Sequence, residues 1–173
     1  MIPIQNIYYM LSYAFQILNE QGYKSIATEQ FNNTAELMAA ILEKGIAIQL
    51  KRGLGKEYIP QTEALSSLRG KIDIAESIKT QSMLRKQLIC TYDEFSVNSI
   101  MNRIIKSTVE LLLRSNISKQ RKKNLRKLMV YFSEVDFIDL YTVNWNVQYN
   151  RNNQTYRMLI SICYLVVKGL LQT

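Results

Sequence analysis

Histidine is absent from the 173 residues, and cysteine and proline occur only twice each. Without histidine the chain lacks the commonest general base and metal ligand, which excludes Ser-His, Cys-His and HNH-type chemistry. Cys90 and Cys163 stand far apart with no CxxC spacing. That argues against zinc and reads as two ordinary buried thiols of a reducing compartment. Two prolines and six glycines are too few for a low-complexity or disordered chain. Long apolar runs are missing as well. Residues 1–19 carry no charged side chain, yet Pro3, Gln5, Asn6, Ser12, Gln16 and Asn19 interrupt them, and no basic n-region opens them. The longest late run, 158–167, is ten residues including a serine, too short for a bilayer. The expectation is a cytoplasmic chain with no membrane partner.

Apolar side chains make up 47% of the chain, enough for the core of one ordinary domain or two small ones. Base exceeds acid, 22 Lys plus Arg against 14 Asp plus Glu, for a formal charge of +8. Helical spacing of Ile4, Ile7, Leu11, Phe15 and Leu18 predicts a helix over 6–20, ended by Gly22. Its tyrosines Tyr8, Tyr9 and Tyr13 are either core or interface aromatics or a stacking platform for bases. A second helix is predicted over 34–44, with Gly45 as its C-cap. Ile46, Ile48 and Leu50 then alternate with Ala47 and Gln49, a strand period. This strand runs into the basic turn Lys51-Arg52-Gly53-Leu54-Gly55-Lys56 and out through Glu57-Tyr58-Ile59-Pro60. The expectation is a projecting hairpin over 50–59 with cations near its tip.

Ile72 and Ile74 suggest another short strand, and Ile89, Thr91 and Tyr92 a third, leading to Asp93 and Glu94 as a turn or helix-start pair. The helical period returns over 98–114, and Ser118 is placed to cap a helix reaching about residue 132. A short strand over 142–149 and a polar turn precede a last helix over 155–171. That helix is apolar all round, so it is either the central helix of the domain or packs against something outside this chain; the second alternative is favoured. The fold class is α+β, with helices at both ends and a small antiparallel or mixed sheet in the middle.

The densest charge lies at Lys119, Arg121, Lys122, Lys123, Arg126 and Lys127. Such a helix is either a solvated face or a surface that neutralises phosphates. A histidine-free chain can still cut DNA through a PD-(D/E)xK centre, where acids and a lysine hold Mg²⁺ and orient water. None of the 14 acids has a lysine two positions on. No P-loop, GxSxG, HExxH or dinucleotide fingerprint is present either.

Four segments together resemble one family. Ile2-Pro3-Ile4-Gln5-Asn6-Ile7-Tyr8-Tyr9-Met10-Leu11-Ser12-Tyr13-Ala14 is similar to the opening of McrC subunits of McrBC-type, methylcytosine-specific restriction systems. So are Leu68-Arg69-Gly70-Lys71-Ile72-Asp73, Tyr92-Asp93-Glu94-Phe95-Ser96-Val97-Asn98 and Asn102-Arg103-Ile104-Ile105-Lys106-Ser107-Thr108, in the family's order. The resemblance implies that residues 1–173 are the N-terminal, partner-coupling region of a DNA endonuclease subunit, with a PD-(D/E)xK nuclease domain expected after 173. It implies no catalytic residue, metal or cofactor in this chain, Mg²⁺ belonging to that nuclease domain and GTP to the partner. The implied partner is a hexameric, GTP-hydrolysing AAA+ protein, McrB-like, whose pore receives an element of this region. Lys51, Arg52 and Lys56 would steer that contact, with Gly53 and Gly55 freeing the turn. The alternative function is a stand-alone nucleic-acid-binding domain using the basic helix.

Overall fold

The computed structural model describes residues 2–22, 33–65, 70–79, 88–149 and 151–170. They divide into two compact units. One comprises residues 1–54 and 100–173 and is helical; the other comprises residues 55–99 and carries the sheet. Among the described residues no helix is long and apolar enough to cross a membrane.

In the helical unit α1 (Ile4–Glu20) ends where Gly22 takes φ 93°, as its glycine predicts. Its buried side is Ala14, Ile17 and Leu18, while Ile4, Tyr8 and Tyr9 stand in solvent. The predicted face is thus correct only in the second half of the helix. The helix α2 (Thr34–Arg52) begins with Asn33 Oδ1 accepting the Glu36 N–H at 2.8 Å. It does not stop at Gly45, and no strand follows at 46–50. The alternation there comes from a helix buried on more than one side, with Met38, Ala39, Ile41, Leu42, Ile46 and Ile48 all inside. Gly45 is buried mid-helix because a Cβ there would sit 2.7 Å from Leu159 Cδ2 and 2.8 Å from Met158 Cε. The real C-cap is Gly53, at φ 90°.

Helix α4 (Ile100–Leu113) and helix α5 (Lys119–Met129), which continues as a 3₁₀ turn over Val130–Phe132, match expectation. Ser118 caps α5, its Oγ accepting the Arg121 N–H at 3.1 Å. The predicted strand over 142–149 is not formed. Asp139 and Asn144 accept nearby backbone N–H groups in Asx turns, so local partners replace a sheet. Last comes α6 (Gln154–Leu165), extended by a π segment, Val166–Leu170. It packs against α1, α2 and α4. Its all-round apolar surface therefore makes it the central helix of the unit, against the alternative favoured above. Tyr156 Oη donates to Asn102 Oδ1 at 2.7 Å inside this core, so Asn102 of the fourth motif is a packing residue that satisfies a buried phenol.

The sheet unit is antiparallel, in the order β1-β3-β2. Its long pair, β1 (Glu57–Leu65) with β3 (Leu88–Ser96), runs in register from Glu57 opposite Ser96 to Leu65 opposite Leu88. The short β2 (Lys71–Ile72) adds to β3 at Thr91 and Cys90. Ile74 is not in a strand. Asp73 ends β2 and starts α3 (Ile74–Lys79), its carboxylate accepting the Glu76 N–H at 2.9 Å. Ser77 Oγ then accepts the Ile89 N–H at 2.7 Å and ties α3 to β3. Asp93 and Glu94 lie within β3, opposite Pro60 and Ile59, and both are exposed. Their reading as a turn or helix start fails because nine pairs with β1 outweigh two residues of poor strand propensity. Leu68 and Arg69 of the second motif lie outside the described residues.

Candidate functional site

The five residues expected at a hairpin tip are not at one. Lys51 and Arg52 form the last turn of α2, where cations complement the helix dipole, and Gly53 caps it. Arg52 Nη1 reaches Thr155 Oγ1 at 3.4 Å, and Gln49 Nε2 donates to the Gly53 carbonyl at 2.8 Å. Gly55 and Lys56 belong to the sheet unit and lead into β1. Of the two glycines only Gly53 has a positive φ. The hairpin over 50–59 is corrected accordingly: a capped helix end gives way directly to a strand.

What stands at the start of β1 and the end of β3 is an aromatic pair. Tyr58 and Phe95 face each other with ring centroids 4.9 Å apart, and Lys56 Nζ lies 5.8 Å from the Phe95 centroid. Tyr58 is 70% exposed and Phe95 56%. On α3, Ile74 and Ile78 are exposed too, one turn apart. These are the large apolar side chains that the sheet unit leaves in water among its described residues. Sequence reasoning passed over Tyr58 and Phe95, since their pairing depends on the β1–β3 register.

The six cations of the basic helix divide. Arg121 turns inward, where Nε donates to Glu36 Oε1 at 3.2 Å and Nη1 to Glu43 Oε2. Glu36 also accepts from the Ser118 N–H at 2.8 Å and the Ser118 hydroxyl at 3.1 Å. Burial pushes the Glu36 carboxyl up, but the Ser118 N–H, the Arg121 guanidinium and the Ser118 hydroxyl together hold it below its ordinary value. Burial works against the charge of Arg121 in the same way, and its bonds to Glu43 and Glu36 more than restore it. This cluster fastens the start of α5 to α2. Lys119, Lys123, Arg126 and Lys127 remain exposed, with Lys122 half-buried.

A cavity of about 330 Å³ in the helical unit is lined by Met10, Trp145, Tyr149, Arg157, Ser161 and Tyr164 among others. Trp145 packs edge-on against Tyr164 at 5.4 Å, and burial pushes the Tyr149 phenol up to about 12. Cys163, buried as expected, is likewise pushed up to about 12 by burial, which makes it an inert thiol.

Residues 5–172 match the family described as McrBC 5-methylcytosine restriction system component. A relative from Escherichia coli (strain K12), the type IV methyl-directed restriction enzyme EcoKMcrBC, is 28% identical over 170 residues. That match covers 97% of this chain and 49% of the relative, so the chain spans about half the length of the curated relative it matches. The fold is similar to a chain in the cryo-EM structure of the Thermococcus gammatolerans McrBC complex. There the TM-score is 0.65 at 22% identity, covering 94% of this chain and 50% of that one. It is also similar to a chain in a half-complex of T. gammatolerans McrB AAA+ hexamers with bound McrC, with TM-score 0.62 at 22% identity, covering 91% and 41%. The family match over nearly the whole chain, the four motifs and this likeness of fold agree. The chain belongs to the family of McrBC 5-methylcytosine restriction system components, as a McrC-like N-terminal region.

Proposed function

We propose that this region is a non-catalytic coupling module: it docks on a GTP-hydrolysing, McrB-like AAA+ partner, stimulates hydrolysis, and couples that work to DNA cleavage performed by a nuclease domain outside residues 1–173. The observation that carries the reading is the family match over residues 5–172. The exposed Tyr58–Phe95 pair beside Lys56 supplies a docking element of the right chemistry, a rigid aromatic anchor with a cation at its rim. In this reading the β1–β3 ribbon takes the role that the sequence had suggested for a hairpin over 50–59. Lys51 and Arg52 are a separate cationic group at the end of α2 that steers association with an acidic partner surface.

The test is co-elution of the chain with the AAA+ protein, scored by GTPase rate. Wild type is expected to co-elute and raise the rate. Tyr58→Ala with Phe95→Ala is expected to abolish capture while the chain stays folded. Lys51→Glu with Arg52→Glu is expected to slow association and make it less sensitive to salt. Undiminished GTPase stimulation by all of these variants would sink the proposed docking element.

A further inference from the structure

Helix α5 holds six cations in eleven residues and no acid. That composition works against the helix. Lys119 with Lys123, Lys122 with Arg126, and Lys123 with Lys127 are like-charged pairs at i, i+4, each mildly destabilising. The helix's own first turn holds no acid, and the one anion at its N-terminus among the described residues, Glu36 of α2, is taken up by Ser118 and Arg121. A helix that served only solubility would offset this repulsion with glutamates one turn away. Among the described residues Arg121 is answered, by Glu36 and Glu43. Among the described residues no carboxylate lies within ion-pair distance of Lys119, Lys122, Lys123, Arg126 or Lys127.

At 100° per residue these five fall within an arc of about 140°. Arg121, Leu125 and Leu128 occupy the opposite side, and Leu125 is fully buried. The arc is held on a firm base, since Ser118 caps the helix and Glu36 binds both Ser118 and Arg121. No aromatic side chain stands within α5, so the face offers no stacking platform for unpaired bases. Four of the five outward cations are lysines, point charges without the planar fork that pairs carboxylates in fixed geometry. Such a face suits a dense, regular row of phosphates more than a specific acidic protein surface.

We infer that the outward face of α5 is a sequence-independent contact for the phosphate backbone of duplex DNA. This goes beyond the docking reading and stands without it. The experiment is fluorescence anisotropy of the purified chain with a short, labelled, random-sequence duplex, between about 50 and 200 mM salt. Wild type is expected to bind with a log–log salt slope of about −4.5 if all five cations neutralise a phosphate. The variant Lys122→Glu/Lys123→Glu/Arg126→Glu is expected to bind at least about tenfold more weakly, with a slope shallower by about 3. The Lys123 change sets an acid one turn from both Lys119 and Lys127, which favours the helix, and circular dichroism checks it. Should the triple variant not fold, Lys122→Gln/Lys123→Gln is expected to flatten the slope by about 2. A control, Lys71→Glu/Lys79→Glu/Arg151→Glu, is expected to keep the wild-type slope. A flat wild-type slope overturns the inference, as does undiminished binding by the folded α5 variant. Equal loss in the control overturns it too, because the attraction would then follow net charge. So does a folded α5 variant that binds DNA normally but is no longer captured by the AAA+ protein, since the face would then be a protein contact.

Discussion

The two units manage their apolar side chains in opposite ways. In the helical unit α6 packs against α1, α2 and α4, and Leu18, Ile41, Leu42, Ile104, Leu125 and Leu159 are all essentially inaccessible. In the sheet unit only Ile89 and Cys90 of the described apolar residues are buried, while Tyr58, Phe95, Ile74 and Ile78 stand mostly in water. A unit with a filled core draws its stability from packing. The described part of the sheet unit is held by backbone pairing and by the Asp73 and Ser77 side chains, and its exposed apolar groups are accessible to a partner.

That contrast can be broken from the core outward. Leu159→Ala leaves a cavity at the centre of the helical unit and is expected to cost about 2–5 kcal/mol, read by urea denaturation. Arg121→Met leaves Glu36 and Glu43 without their cation. With these side chains only 11–17% exposed, the loss is expected near the lower end of that for a broken buried pair, about 3 kcal/mol. The same variant has a signature in pH. The Glu36 carboxyl is lower in the folded chain than its ordinary value of 4.5. Its contribution is therefore present above 4.5 and lost as pH falls through the folded value. Wild type is expected to lose stability on acidification below that point, and Arg121→Met to show a flatter acid limb in thermal melts across pH.

In the sheet unit the sensitive point is backbone. Gly70 has φ 64°, and a Cβ there would strike the Thr91 carbonyl oxygen and approach Tyr92 Cβ to 2.7 Å. Gly70→Ala is expected to cost more than about 1 kcal/mol and to raise amide exchange along β3. The smallest effect on stability is expected from Tyr58→Ala, which removes one ring from an exposed pair worth about 0.5–1.5 kcal/mol. If Tyr58→Ala instead destabilised as much as Leu159→Ala, the contrast between a packed unit and a presenting unit would fail.

How far these features were legible depended on the range of the interactions behind them. Ser118 as a cap, the period of α4 and the stop at Gly22 were readable because each is set within a few residues. The second half of α2 was misread because Ile46, Ile48 and Leu50 satisfy a strand pattern as well as a buried helix. Gly45 looked like a terminator, yet its purpose is the close approach of α6, more than a hundred residues on. Arg121 could not be separated from its neighbours by composition, because its partners Glu36 and Glu43 lie on α2. Asp93 and Glu94 took a strand conformation from β1, which no local signal announces.

By itself the sequence determined the α+β class, the absence of histidine chemistry, most helix positions, and the family through its four motifs. It also set an acid-free basic helix and a last helix too apolar to face water. Only the tertiary structure decided that α6 is central, that α2 runs through Gly45 to Arg52, that Arg121 belongs to a part-buried ion cluster, and that Tyr58 and Phe95 meet where β1 begins and β3 ends. The reason is physical. Caps and periodicity are written in bonds between near neighbours, whereas burial, charge pairing and strand register are settled between residues that only the folded chain brings together.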